Sequence, residues 1–215
     1  MSSSSNFSES SLRAFVGALA VHSPTPGGGA VGASQVAMAA GLAAMAIRFT
    51  ASRREFEARR EELEAAAARC DELATRALKA VDEDVSAYGR VAAAYRLPKS
   101  TPAEKAERSD AIQTGLRGAM LVPLQIAELG IEVLETLDPL VDGCNPNLVA
   151  DLAGGVDAAI AGVRSGLRNV DANLRSMKDE TEVAAAWTRV RKVLDALTHH
   201  RERFAKFIEK DWPTA

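Results

Sequence analysis

Asp82-Glu83-Asp84 sits in the middle of a long stretch of helical periodicity. Two residues apart on a helix, Asp82 and Asp84 point about 200° apart. Only one of them can therefore share a face with Val81, Val85 and Tyr88. Asp84 lies three residues from Val81 and four from Tyr88, which turns its carboxylate inward. A carboxylate drawn toward an apolar groove has a raised pKa and suits general acid–base work near neutrality. A solvated acidic turn of helix accounts for the same three residues without any chemistry.

A second feature is Gly27-Gly28-Gly29, between Pro26 and a helix start. Glycines there let backbone N–H groups approach a ligand, and a helix N-terminus adds partial positive charge. The spacing is neither GxGxxG nor GxxxxGK[ST], and a plain interhelical turn uses the same residues. Polar side chains gather later in the chain: Asn145, Asn147 and Asp151, then Asn169 and Asn173. Asn145 and Asn147 can cap the helix that follows them. Asn169 and Asn173 share one helix face among small residues, where buried amides need partners that a polar heterocycle would supply.

Other chemistries find no support. The histidines are His22, His199 and His200, none beside a serine or cysteine nucleophile motif, so a catalytic triad is not expected. His199 and His200 are adjacent and diverge by about 100° on a helix, so they cannot chelate one metal ion, and no metal site is assigned. Cys70 and Cys144 lack a CxxC partner and are too few for a disulfide scaffold. With 26 Lys+Arg against 29 Asp+Glu the net charge is −3, which leaves no broad footprint for nucleic acid. No basic leader precedes the first helix, and a reducing, cytoplasmic setting is expected.

The elements that must position these groups are all helical. No stretch alternates like a strand, aromatics are only 5% of the chain, and alanine is abundant. Leu12, Phe15, Val16 and Leu19 line a first helix that ends before the Ser23–Gly29 break. An alanine-rich second helix covers residues 30–49. Its uncharged run, 30–47, just reaches the length of a membrane span, but its small residues and Ser34 and Gln35 favour a buried helix with close backbone contacts. A third helix is expected from Ser52 to the turn before Pro98, and a fourth over 103–137 with a kink or break at Pro123. A fifth spans 147–177. A sixth, 180–210, carries Val183, Trp187, Val190, Leu194, Leu197, Phe204 and Ile208 as a ladder interrupted at Arg201. Long helices with short connections predict one all-α domain over residues 1–215, an elongated antiparallel bundle of about six helices, with residues 1–6 disordered. The small-residue faces of the second and fifth helices exceed what one bundle can consume, which predicts a homodimer.

The segments PTPGGGAVGA (24–33), SRREFE (52–57), DEDVSAYGRVAAAYRLPKSTPAEKAER (82–108), VPL (122–124), NPNLVAD (145–151) and NVDANLRSMKDE (169–180), in this order, resemble the cyclodeaminase/cyclohydrolase family of folate one-carbon metabolism. The resemblance implies a helical homodimer with a folate groove lined by the glycine turn and the long helices. It implies that Asp84 is the general acid/base and that Gly27, Gly28, Gly29, Asn145, Asn147, Asp151 and Asn169 line the substrate site; Asn173, on the helix face of Asn169, is assigned to it by that spacing. Lys99, in the LPK segment, would attract the glutamate tail with Arg53, Arg54 and Arg108. Ala30 stands where the family usually has serine or glycine, Ala150 precedes the later acid, and Asp171 replaces a residue more often basic or hydrophobic.

The reaction implied first is hydrolysis of 5,10-methenyltetrahydrofolate to 10-formyltetrahydrofolate. Cyclisation of 5-formiminotetrahydrofolate with loss of ammonia is the alternative. Both need one proton shuttle and a polar cradle, with no permanently bound cofactor and no membrane or nucleic acid as partner. A helical scaffold that has lost the chemistry is the reading of another class, resting on Ala30 and Asp171.

Overall fold

The computed structural model describes residues 6–141 and 143–208; part of the stretch expected to be disordered (residues 1–5) and residues 209–215 fall outside them. Six α-helices organise the described residues, with no strand among them: α1 Leu12–Leu19, α2 Gly28–Ala51, α3 Arg60–Tyr95, α4 Pro102–Leu137, α5 Val149–Leu174 and α6 Glu180–Ile208. Four of them, α2 to α5, run up and down around one core. Asp84 of α3 lies at Gly29 and Asp71 pairs with Arg48, so α2 and α3 are antiparallel. Gly28 faces Asn169 while Gly155 faces Leu42, so α5 also runs against α2. At 36 residues each, α3 and α4 are about 54 Å long. The bundle is elongated, as expected. Outside the ring, α6 runs parallel to α4 and is clamped to it by Arg117–Glu182 at 2.7 Å and Arg189–Glu128 at 2.8 Å.

The missing side chains of glycine set the spacing of α2, α4 and α5. A Cβ at Gly162 would lie 2.8 Å from the Gly32 carbonyl oxygen and 2.6 Å from Val36. One at Gly166 would lie 2.6 Å from the Pro123 carbonyl oxygen. Among the described residues no glycine has a positive φ, so close approach and not unusual backbone selects glycine at these positions. By length and composition α2 is the one described helix able to cross a bilayer; here α3 and α5 cover its flanks. Its remaining face points outward, with Met38 53% and Phe49 55% exposed and Arg48 paired with Asp71 near its C-terminal end, and a Cβ on Gly41 would meet nothing within 4 Å.

Several boundaries differ from the sequence expectation. The third helix begins at Arg60 and not at Ser52, because Arg53 is extended and 54–59 form a 3₁₀ turn that reverses the chain between α2 and α3. No proline or glycine marks that break. The second helix begins at Gly28, inside the glycine run. The fourth passes through Pro123 unbroken. Proline removes the donor that would reach Ala119, four residues earlier. The Asn173 carboxamide donates to that carbonyl instead, at 2.9 Å. In α6 the buried seam is Ala186, Val190, Val193, Leu197, His200 and Phe204. Leu194 is exposed, and His200 fills a core position where the ladder was expected to be interrupted. Burial lowers the His200 pKa, while Asp138, 3.6 Å away, acts in the other direction.

Replacing Gly162 by alanine is expected to destabilise the fold by about 1–3 kcal/mol in urea unfolding, since backbone faces the new methyl. Gly17→Ala, where an added Cβ meets nothing within 4 Å, is expected to leave stability unchanged or slightly raised.

Candidate functional site

The buried stripe of α3 runs through Leu63, Ala67, Cys70, Leu73, Ala77, Ala80 and Val81, then resumes at Ala87, Val91 and Ala94. Steps of three and four residues put position 84 in that stripe. Asp84 is thus held inward by the packing of α3, and it arrives at the first turn of α2. A Cβ at Gly29 would fall 2.0 Å from Asp84 Oδ1 and 2.4 Å from its Cγ, so the carboxylate occupies the space a side chain would need. Tyr88, expected on the same face, is 43% exposed; Ala87 fills the inward position. Asp82 points elsewhere and accepts the backbone N–H of Phe7 at 2.7 Å and of Ser8 at 3.3 Å. It anchors the N-terminal segment.

Burial pushes the Asp84 carboxyl above the ordinary aspartate value, and the N–H of Ala30 facing it acts in the opposite direction. Gly27 caps α2 without any side-chain bond. A carboxylate from α3 therefore serves the α2 N-terminus, whose partial positive charge favours it. On the opposite side α5 brings Ser165 and Asn169. The Ser165 hydroxyl donates to the Gly28 carbonyl at 2.6 Å, and Asn169 Nδ2 would lie 3.2 Å from a Cβ at Gly28. Asn169 donates to the Ser165 carbonyl at 2.9 Å, and Asn173 donates to the Asn169 carbonyl at 2.8 Å. One end of the bundle thus collects Gly27, Gly28, Gly29, Asp84, Asn169 and Asn173.

The remaining candidates lie apart from this cluster. Asn145 is buried at the other end of α2: its N–H donates to Thr50 Oγ1 at 3.3 Å, and its Oδ1 accepts from Arg53 at 2.7 Å and from the Asn147 N–H at 3.1 Å. Asn147 is exposed, and Asp151 is half-buried in the first turn of α5. From Gly29 to Thr50, α2 spans about 32 Å. A single chain therefore holds two separate polar clusters. Lys99 is exposed in the α3–α4 turn, beyond Tyr95, and about 17 Å of helix separates Tyr95 from Asp84.

Among the described residues no group of three or more His, Cys, Asp or Glu is placed to hold a metal ion. Burial pushes the Cys70 thiol up to about 11, which makes it a poor nucleophile.

The family model for formiminotransferase-cyclodeaminase matches residues 11–192. The chain belongs to this family. It is 32% identical over 168 residues to a methenyltetrahydrofolate cyclohydrolase of Methylorubrum extorquens, covering 78% of this chain and 81% of that protein. It is 34% identical over 172 residues to formimidoyltransferase-cyclodeaminase of Rattus norvegicus, covering 80% of this chain. The match spans 32% of the rat protein, about a third of its length. The fold is similar to the crystal structure of formiminotetrahydrofolate cyclodeaminase from Thermotoga maritima, with a TM-score of 0.85 and 27% identity over 94% of this chain and 97% of that one.

Within this member of the formiminotransferase-cyclodeaminase family, Ser165 is the contact that sequence reasoning missed. Its signal was available, since Ser165 stands one helical turn before Asn169.

The raised pKa of Asp84 has a defined consequence for stability. The folded state keeps its proton to higher pH than the unfolded chain, so stability falls as pH rises from the unfolded aspartate value, about 3.9, through the raised folded value. Asp84→Asn is expected to melt at a higher temperature than wild type at pH 7, with the gap closing below about pH 4. Thermal unfolding followed by circular dichroism at both pH values measures it.

Proposed function

We propose that this chain is a folate one-carbon enzyme that hydrolyses 5,10-methenyltetrahydrofolate to 10-formyltetrahydrofolate. The observation that carries this reading is the desolvated Asp84 carboxylate standing at Gly29 and facing the Ala30 amide at the open end of α2. Hydrolysis begins when Asp84 takes a proton from water as its oxygen bonds to the cationic methenyl carbon. The C=N electrons move onto nitrogen, giving a neutral tetrahedral carbinol. As the bond from that carbon to N5 breaks, Asp84 returns its proton to N5, and the hydroxyl proton leaves to solvent with formation of the N10-formyl carbonyl. The N–H groups of Gly28 and Gly29, which donate no bond among the described residues, offer partners to the adduct oxygen. Asn169 offers its carboxamide to the polar edge of the pterin.

The alternative reaction, closure of 5-formiminotetrahydrofolate by N10 with loss of ammonia, is favoured by the likeness to the Thermotoga maritima cyclodeaminase. The same groups serve it, with Asp84 taking the N10 proton and protonating the departing nitrogen. Loss of the near-ultraviolet absorbance of the methenyl substrate reports the first reaction, and ammonia release from the formimino substrate the second. A protein inert toward both would overturn the folate reading in favour of a helical scaffold. Asp84→Asn is expected to lower turnover by about 10² to 10⁴ with the fold intact, and the acid limb of the wild-type pH–rate profile to follow the raised Asp84 pKa. Asp82→Asn is expected to retain turnover, losing only its hold on Phe7 and Ser8.

We further propose that the working unit is a homodimer paired through the outward face of α2. An isologous two-fold passing near Gly41, perpendicular to α2, would set the two α2 helices antiparallel. The Gly29–Asp84 end of one subunit would then stand beside Arg53, Asn145 and Asp151 of the partner subunit, which joins the two clusters that one chain keeps about 32 Å apart. Light scattering is expected to give about twice 22.8 kDa, and Gly41→Glu to give monomers. Co-expression of Asp84→Asn with Asp151→Asn, each nearly inactive alone, is expected to recover about a quarter of wild-type turnover, because each mixed dimer keeps one intact site. Full activity of Asp151→Asn alone would place the second cluster outside the site.

A further inference from the structure

Six helical hydroxyls of this chain share a pattern that Ser165 does not follow. Ser34, Thr50, Thr75, Thr136, Thr188 and Thr198 each donate to the carbonyl four residues earlier in their own helix. Ser165 instead donates across the bundle to Gly28, 137 residues away in sequence, at 2.6 Å. Such back-bonding is the local default for a helical serine or threonine, so the crossing bond needs a cause.

The backbone around it supplies one. Gly32 and Gly162 let α2 and α5 approach until a Cβ on Gly32 would lie 2.9 Å from the Ser165 Cβ. At that distance the hydroxyl reaches the α2 backbone directly. The Ser165 carbonyl in turn accepts the Asn169 carboxamide, whose own backbone carbonyl accepts Asn173, and Asn173 also holds Ala119 on α4. A continuous line of hydrogen bonds therefore runs from the proline-interrupted turn of α4 to the first carbonyl of α2. Ser165 is its last link.

We propose that Ser165 is a positioning residue for the reaction: it fixes the Gly28 carbonyl, and with it the direction of the Gly29 N–H, which shares that peptide plane and lies beside Asp84. The proposal rests on the folate reading only for the choice of substrate. A second hydrogen bond on the Gly28 carbonyl, beyond the one its helix provides, pins the first turn of α2 against α5. It does so without touching Asp84, which is held from the α3 side. The hydroxyl thus governs how well the amides and the carboxylate are aligned, and the reaction senses that alignment more than binding does.

Ser165→Ala in the full chain removes only the hydroxyl. With 5,10-methenyltetrahydrofolate, kcat is expected to fall about 10- to 100-fold while KM changes by less than about threefold. The melting temperature is expected to stay within a few degrees of wild type. Amide hydrogen exchange of residues 28–31, measured without substrate, is expected to accelerate about tenfold or more, with α5 unchanged. The losses of kcat from Ser165→Ala and Asn169→Ala are expected to combine less than multiplicatively, since both act on one cradle. Unchanged exchange at 28–31 would overturn the proposal whether or not the protein acts on folates. So would wild-type kcat in Ser165→Ala, or a kcat loss matched by a general fall in melting temperature. Wild-type protein inert toward both folates would instead remove the folate reading, with the exchange measurement still deciding whether Ser165 fixes the turn.

Discussion

A carboxylate resting where a side chain at position 29 would have to go constrains much of this molecule. Asp84 can stand there only if residue 29 is glycine, if α3 crosses α2 closely enough, and if the α2 N-terminus is left uncapped by its own side chains. Each condition is met by a different part of the chain. The alanines of α2 and α3 permit the close crossing, and the polar side chains of α5 steady the opposite flank of the same turn. The turn is therefore gripped from both sides while its end remains open. Such an arrangement keeps a charged group partly out of water, at a cost in stability that a purely structural aspartate would avoid.

Much of this could be read in the residues before any coordinates. The choice of Asp84 over Asp82 needed only the 100° step of the helix, because Val81 and Asp84 share the buried stripe of α3. The same periodicity misplaced Tyr88: an aromatic at i+4 satisfies the pattern as well as Ala87 does, and only the narrow gap to the neighbouring helix excludes the ring. The glycine run was legible as a close-approach site; that a carboxylate of the same chain stands at Gly29 was not. Asn145 and Asn169 lie 24 residues apart, and α5, from Val149 onward, takes up most of that interval as one continuous helix. Their separation was thus implicit in the helix assignment. The break at Arg53 was not legible, since a sharp reversal without glycine or proline depends on contacts with Asn145, 92 residues later.

The α6 helix shows how a tertiary partner can reverse a local expectation. Leu194 fits the apolar ladder and is left in water, whereas His200 is buried beside Asp138 and Phe204. The seam of α6 is a strict alternation of four- and three-residue steps, and adherence to that geometry outweighs the hydrophobicity of any one position. Ion pairs to α4 flank the seam and fix its register. Individually such exposed pairs contribute little, so they specify where α6 docks more than how tightly.

Pro123 and Asn173 impose an order on how this sequence can change. With proline at 123, loss of the amide at 173 strands the Ala119 carbonyl, so that step is disfavoured while the proline remains. An alanine at 123 would restore the intrahelical donor, and the carbonyl has lone pairs enough to receive both partners. The proline can therefore be exchanged first and the asparagine afterwards, but not in the reverse sequence. The order of permissible change at these two positions is thus set by a single missing N–H.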